Sequence, residues 1–79
     1  MGLYKVTHFQ GCLGTYAPVM SKVLSEELIE GSSMKDVWGT IVQDLGSKYP
    51  YVRTILYSDN HYTLDYGSYT TFIDIDQIA

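Results

Sequence analysis

The amino-acid sequence predicts an α+β fold in which one amphipathic helix lies across one face of a single β-sheet. The first observation is a run of apolar residues between Ser33 and Pro50, spaced as on one face of a helix. The second is that both flanks combine β-branched, aromatic and polar residues, which is typical of strands. Third, 79 residues with 46% hydrophobic content allow one domain with one small core. The apolar stripe consists of Met34, Val37, Trp38, Ile41, Val42 and Leu45.

Two strands are predicted before the helix, at residues 3–10 and 21–29. The first mixes β-branched and aromatic residues with polar ones in rough alternation, as a half-buried strand does. Residues 11–18 contain two glycines and a proline and are therefore expected to form a loop or irregular turn. The register of the second strand stays open, because two adjacent apolar pairs cannot both point inward. These pairs are Val23-Leu24 and Leu28-Ile29.

The ends of the helix are predicted from capping residues. Ser33 followed by Asp36 resembles a capping box, so the helix should begin near Met34. Pro50 cannot continue a helix. We therefore expect the helix to end within residues 45–49.

Three short strands are predicted after the helix, at residues 52–57, 61–66 and 69–75, with reversals at 58–60 and 67–68. Either face of the last strand could be the buried one. A sheet whose first and last strands pair centrally in parallel would place the helix in the crossover path. The predicted fold is thus a mixed four- to five-stranded sheet with one helix packed across one face.

With this order of elements, the chain resembles the ubiquitin-like β-grasp superfamily, and within it the molybdopterin-synthase small subunit and related sulfur carriers. The resemblance lies in FQGCLGTYA at residues 9–17, IEGSSMKDVW at 29–38 and LGSKYPYVRTIL at 45–56. A similar domain occurs in phage tail assembly proteins. The resemblance implies a β-grasp fold over residues 1–79.

Sulfur carriers and protein modifiers of this superfamily end in Gly-Gly, whereas this sequence ends with residues 74–79, DIDQIA. Thiolation of the terminal carboxylate is therefore not expected. The resemblance then implies the other common use of the scaffold, which is docking through the exposed sheet face. A phage-type or accessory inhibitor or assembly factor would suit a domain of this kind.

Charge and cysteine content narrow the function classes. The net charge is −4, and residues 49–79 carry Arg53 against four aspartates. Such a surface repels phosphate backbones and anionic lipid, so neither nucleic acid nor membrane is an expected partner. The single cysteine, Cys12, indicates a reducing compartment, and cytoplasmic localisation is predicted. No motif of catalysis or cofactor binding is present, and a non-catalytic protein is predicted.

Tyrosine is over-used, with eight of the 79 residues. It provides a large, rigid contact area with a polar tip and is enriched at protein interfaces. We predict a Tyr-rich acidic sheet face that binds a protein partner with a basic surface, although single tyrosines could simply cover a thin sheet. The alternatives are a sulfur-carrier or ubiquitin-like modifier protein that lacks its Gly-Gly tail, and a structural subunit of a homo-oligomer. The predicted partner-binding residues are Tyr57, Asp59, Tyr62, Asp65, Tyr66 and Tyr69.

Other polar residues are given structural interpretations. Cys12, His8 and His61 lack the paired spacing of metal ligands, and no metal site is predicted from them. Asp74 and Asp76 are interpreted either as charges that protect the edge of the last strand or as contacts to a basic partner. A second acidic group is interpreted as a solvated strand edge; it consists of Glu26, Glu27 and Glu30.

Overall fold

The structure is a computed structural model that describes residues 2–13, 18–49, 51–66 and 70–79, with the side chains of Leu13, Leu56 and Tyr57 outside that description. All predicted elements are present. The predicted reversal at 67–68 and residues 14–17 of the predicted loop lie outside the described residues. The loop prediction is wrong for residues 11–13 and 18, because these residues belong to the first and second strands. The elements are β1 (Gly2–Leu13), β2 (Pro18–Gly31), α1 (Met34–Gly46), β3 (Arg53–Tyr57), β4 (His61–Asp65) and β5 (Thr71–Gln77).

The helix begins and ends where its capping residues predict. The Ser33 hydroxyl accepts a hydrogen bond from the Asp36 N–H at 3.1 Å, which satisfies one of the donors left unpaired in the first turn. After Gly46, the N–H groups of Lys48 and Tyr49 donate to the Leu45 carbonyl at 3.0 and 2.8 Å. The predicted start near Met34 and the predicted end within 45–49 are both confirmed.

The sheet has the order β2-β1-β5-β4-β3, so β1 and β5 are central neighbours as predicted. All four neighbouring pairs are antiparallel. The prediction of a mixed sheet with a parallel central pair is therefore wrong.

The direction of the central pair follows from the path of the helix. A helix of 13 residues is about 20 Å long at 1.5 Å per residue, enough to carry the chain back along the sheet. The edge strands β2 and β3 consequently run in the same direction. Because β3, β4 and β5 then alternate in direction, β5 runs parallel to β2 and antiparallel to β1.

The helix-side core confirms that the apolar stripe of α1 packs on one sheet face. Met34, Val37 and Leu45 are buried, while Trp38 is only partly buried against the same cluster. Register places the sheet residues of this cluster on one face. The buried sheet-side members are Tyr4, Val6, Leu64, Tyr66, Ile73 and Ile75.

The opposite face of the sheet is also partly buried. Phe9 and Phe72 are cross-strand neighbours that are 1% and 0% exposed, with ring centroids 5.7 Å apart. Thr7 and Thr63 on the same face are 4% and 1% exposed. Buried side chains on this face therefore also contribute to the stability of the fold.

Trp38 joins the helix to β3 by a polar contact. Its indole N–H donates to Thr54 Oγ1 at 2.8 Å, and its ring packs edge-on against Tyr62. Thr54→Val should lower the free energy of unfolding by about 1 kcal/mol, because the indole N–H loses its acceptor. In a Trp38→Phe background the same change should be nearly neutral. Urea unfolding of the four proteins of this cycle tests the coupling, and an equal cost of Thr54→Val in both backgrounds would contradict it.

Candidate functional site

The six residues of the predicted Tyr-rich face do not share one exposed surface. Tyr62 lies on the helix side, packed against Trp38. Tyr66 is 8% exposed in the helix-side core, and its hydroxyl is hydrogen-bonded to His8 Nε2 at 2.5 Å. Because side chains alternate along a strand, Tyr62 takes the same side as the buried Leu64. The prediction of an exposed Tyr-rich sheet face is therefore wrong for Tyr62 and Tyr66, which pack on the helix side.

Of the other four predicted residues, the structure describes the side chains of Asp59 and Asp65, which lie on different elements. Asp65 is 8% exposed, and its Oδ2 accepts from Arg53 Nη2 at 3.3 Å across β3 and β4. Asp59 is exposed in the reversal between those strands, where the Ser58 N–H donates to the His61 carbonyl at 2.9 Å. The side chain of Tyr57, and Tyr69 as a whole, lie outside the described residues.

Among the sheet side chains that the structure describes, the most exposed large apolar ones lie instead on β2. This strand forms one edge of the sheet, and within the described residues no strand pairs with its outer side. Leu28 is 61% exposed, although Ile29 beside it packs on the helix-side core. The other exposed apolar residues of β2 are Val19 at 58%, Met20 at 44%, Val23 at 43% and Leu24 at 42%.

The first part of β2, before residue 25, pairs irregularly with β1, whereas residues 25–31 pair regularly. Register shifts occur opposite His8/Phe9 and opposite Gln10/Gly11, whereas residues 25–31 pair without interruption with residues 2–8 of β1. Such irregularities bend an edge strand and limit indiscriminate pairing. A regular, accessible segment therefore remains at 25–31.

The acidic group of β2 has the position that the sequence predicts. Glu26, Glu27 and Glu30 are exposed on the edge strand. Glu26 Oε2 lies 3.8 Å from Lys5 Nζ on β1. The prediction of a solvated strand edge is confirmed for these three glutamates.

A cleft of about 340 Å³ runs between the helix and the β2 side of the sheet. Its lining is mostly apolar. It also includes two carboxylates, Glu27 from β2 and Asp44 from the helix. The whole lining comprises Val6, His8, Ser25, Glu27, Ile29, Thr40, Ile41, Asp44, Leu45 and Ile73.

The face away from the helix carries a compact polar cluster on β4 and β5. His61 pairs with Asp76 across the strands, and Thr63 pairs with Asp74. His61 Nε2 lies 3.4 Å from Asp74 Oδ2 and 3.7 Å from Asp76 Oδ1. Because β5 is a central strand, the interpretation of Asp74 and Asp76 as edge-protecting charges is wrong.

The three residues first considered as metal ligands are not brought together. His8 lies on the helix side, hydrogen-bonded to Tyr66, and His61 on the opposite face. Cys12 is an exposed residue of β1, not of a loop as predicted.

The fold and these surface features define a small α+β protein with one five-stranded antiparallel sheet and one covering helix. No protein-family model, curated protein or solved structure matches this chain. Within the described ranges, no helix has the length and apolar character needed to cross a membrane.

Two features of the surface escaped the sequence-based predictions. The exposed side of β2 had a signal in the adjacent pairs Val23-Leu24 and Leu28-Ile29, since one member of each pair must face away from the helix. For the cluster of His61, Asp74 and Asp76, the only signal in the sequence was the alternation of the two aspartates. His61 joins them only because β4 pairs with β5 in this register.

Proposed function

We propose that this protein is a non-catalytic interaction module that binds an extended, basic segment of a protein partner along the outer edge of β2. The observation that carries the proposal is the combination of an unpaired strand edge, within the described residues, with exposed apolar side chains. Leu28, 61% exposed, is the centre of this surface. Strand addition at a sheet edge provides main-chain hydrogen bonds, and alternate side chains of the added strand provide specificity.

Charge selects the chemistry of the partner segment. β2 carries Lys22 against Glu26, Glu27 and Glu30, and the chain as a whole has a net charge of −4. A segment with lysine or arginine at alternate positions would meet the glutamates, and its approach would be accelerated by electrostatic attraction. This supports the predicted partner with a basic surface, bound at the edge of the sheet.

The cleft beside β2 supports the same occupant. A strand added at residues 25–31 would direct alternate side chains toward the helix side, next to Glu27 and Ile29. The cleft there is lined by apolar side chains and by the carboxylates of Glu27 and Asp44. A lysine or arginine side chain fits this cleft, because its aliphatic part can pack on the apolar lining while its charged end reaches a carboxylate.

The test uses two extended peptides, one alternating valine with lysine and one alternating valine with glutamate. We expect the lysine peptide to bind, with slower amide hydrogen exchange at residues 25–31, and the glutamate peptide to bind more weakly. Leu28→Arg should weaken binding about tenfold or more, equivalent to about 1.4 kcal/mol, because it replaces an apolar contact by a like charge. Tyr51→Arg is the matched control, since Tyr51 is 51% exposed and precedes β3 at the other edge.

Protection confined to the β3–β4 reversal, or equal weakening by Leu28→Arg and Tyr51→Arg, would contradict this proposal. The homo-oligomer alternative uses the same edge, and light scattering of the protein alone would detect it as a dimer that Leu28→Arg dissociates. The modifier-like alternative, with membership of the ubiquitin-like superfamily, is supported by the central position of β1 and β5. It is opposed by their antiparallel direction.

A further inference from the structure

The polar cluster of β4 and β5 has the ligand types and spacing of a transition-metal site. One imidazole nitrogen and one carboxylate oxygen from each of two aspartates, in His61, Asp74 and Asp76, all lie within 4.8 Å of one another. Within the described residues, no other group of histidine, cysteine and acidic side chains meets this condition. The three residues are half-buried, which leaves one side of the cluster open to solvent.

The two histidine–carboxylate distances are close to those of tetrahedral coordination. Zn²⁺ bound to nitrogen and oxygen ligands at about 2.0–2.2 Å separates neighbouring ligand atoms by about 3.3–3.6 Å in a tetrahedron. His61 Nε2 is 3.4 Å from Asp74 Oδ2 and 3.7 Å from Asp76 Oδ1. Both histidine–carboxylate distances therefore need little change to accept the ion.

The ligands stand on paired strands, which hold their positions. His61 and Asp76 are direct cross-strand partners, and the next pair on the same face is Thr63 and Asp74. Thr63 is 1% exposed, and its hydroxyl donates to Asp74 Oδ1 at 2.7 Å. That hydrogen bond orients the aspartate so that Oδ2 is directed toward His61, which is how supporting residues position metal ligands.

The charge around the cluster favours a divalent cation. Asp74 and Asp76 are two residues apart on one face of β5, so their carboxylates repel each other. The nearest basic residue in register is Lys5, opposite Asp76, and its ammonium lies 3.8 Å from Glu26 on β2. A dication between the two aspartates and the imidazole would offset the repulsion.

We propose that His61, Asp74 and Asp76 bind a divalent transition metal, with Zn²⁺ as the best fit, and that water takes the fourth position on the open side. This inference does not depend on binding at the edge of β2, because β1 lies between β2 and the strands β5 and β4 that carry the cluster. Thr63 acts as a positioning residue.

The test is calorimetric titration of the protein with zinc chloride, and visible spectroscopy with Co²⁺ in its place. We expect one ion per chain, an intense tetrahedral Co²⁺ spectrum, and a rise in Tm with zinc concentration. His61→Ala and Asp76→Asn should each lower zinc affinity at least tenfold and remove the Co²⁺ spectrum. Thr63→Val should lower affinity by about 10- to 100-fold while the stoichiometry stays at one.

The controls remove one histidine and one aspartate charge outside the cluster. His8→Gln and Asp44→Asn alter residues of the helix-side cleft and should leave zinc affinity unchanged. Circular dichroism confirms that each variant is folded before titration. The proposal is overturned if the folded protein binds no zinc, if His61→Ala and Asp76→Asn bind like the unaltered protein, or if His8→Gln abolishes binding.

Discussion

Replacing Ile75 by alanine should lower the free energy of unfolding by about 2–5 kcal/mol. Ile75 is 0% exposed in the central strand β5, between Val6 of β1 and Tyr62 of β4, and belongs to the core beneath the helix. Strands on both sides hold its backbone, so the cavity cannot close by a local shift. A domain of this size has a total stability of only about 4–12 kcal/mol. Ile75→Ala should therefore remove a large part of it.

Guanidinium unfolding followed by the fluorescence of Trp38 measures this loss, since the indole packs against Tyr62 at the edge of the same core. Ile78→Ala is the matched control, because Ile78 is 51% exposed and should change stability by less than about 0.5 kcal/mol. Equal losses in the two variants would show that Ile75 does not occupy the core position described.

The second large effect is expected from Gly11→Ala. A Cβ built on Gly11 would lie far inside van der Waals contact with the carbonyl oxygen of Val19 on β2. The obstacle is backbone, which cannot rotate away as a side chain can, so the hairpin of β1 and β2 must shift. Overpacking of this kind costs about 1–3 kcal/mol. The loss should be concentrated in the hairpin.

Gly39→Ala makes the same chemical change with the opposite expected sign. Gly39 lies within the helix, and a Cβ there has no neighbour within 4 Å. Alanine restricts the unfolded chain and favours the helix, so stability should rise by about 0.5–1 kcal/mol. Thermal unfolding of both variants, with amide exchange of β1 and β2 for Gly11→Ala, tests the pair. A stable Gly11→Ala protein with unchanged exchange in the hairpin would refute the close approach of the two strands.

The local elements follow from the sequence because their causes are local. Ser33 and Asp36 define the start of the helix through a hydrogen bond between neighbours in the chain. The apolar spacing from Met34 to Leu45 decides which side of the helix is buried. Alternation likewise predicts that Ile73 and Ile75 share a face, which proves to be the helix side.

The candidate sites were less accessible from the sequence because they depend on pairing. Tyr62 and Tyr66 are residue types that are common at interfaces, yet they lie two residues before and after the buried Leu64 and therefore share its helix-side face. Asp74 and Asp76 resemble edge charges until β5 is seen to lie between β1 and β4. No local pattern records which strand becomes a neighbour.

By itself, the sequence determined the single helix, its caps, the strands and the sharing of faces within each strand, because these depend on near neighbours in the chain. Tertiary structure alone decided the antiparallel direction of the central pair, the exposure of Leu28 on an edge strand and the meeting of His61 with Asp74 and Asp76. The physical reason is that strand order and register are set by the return path of the helix and by packing between distant segments. Those contacts join residues far apart in the chain, and each depends on all the others being formed.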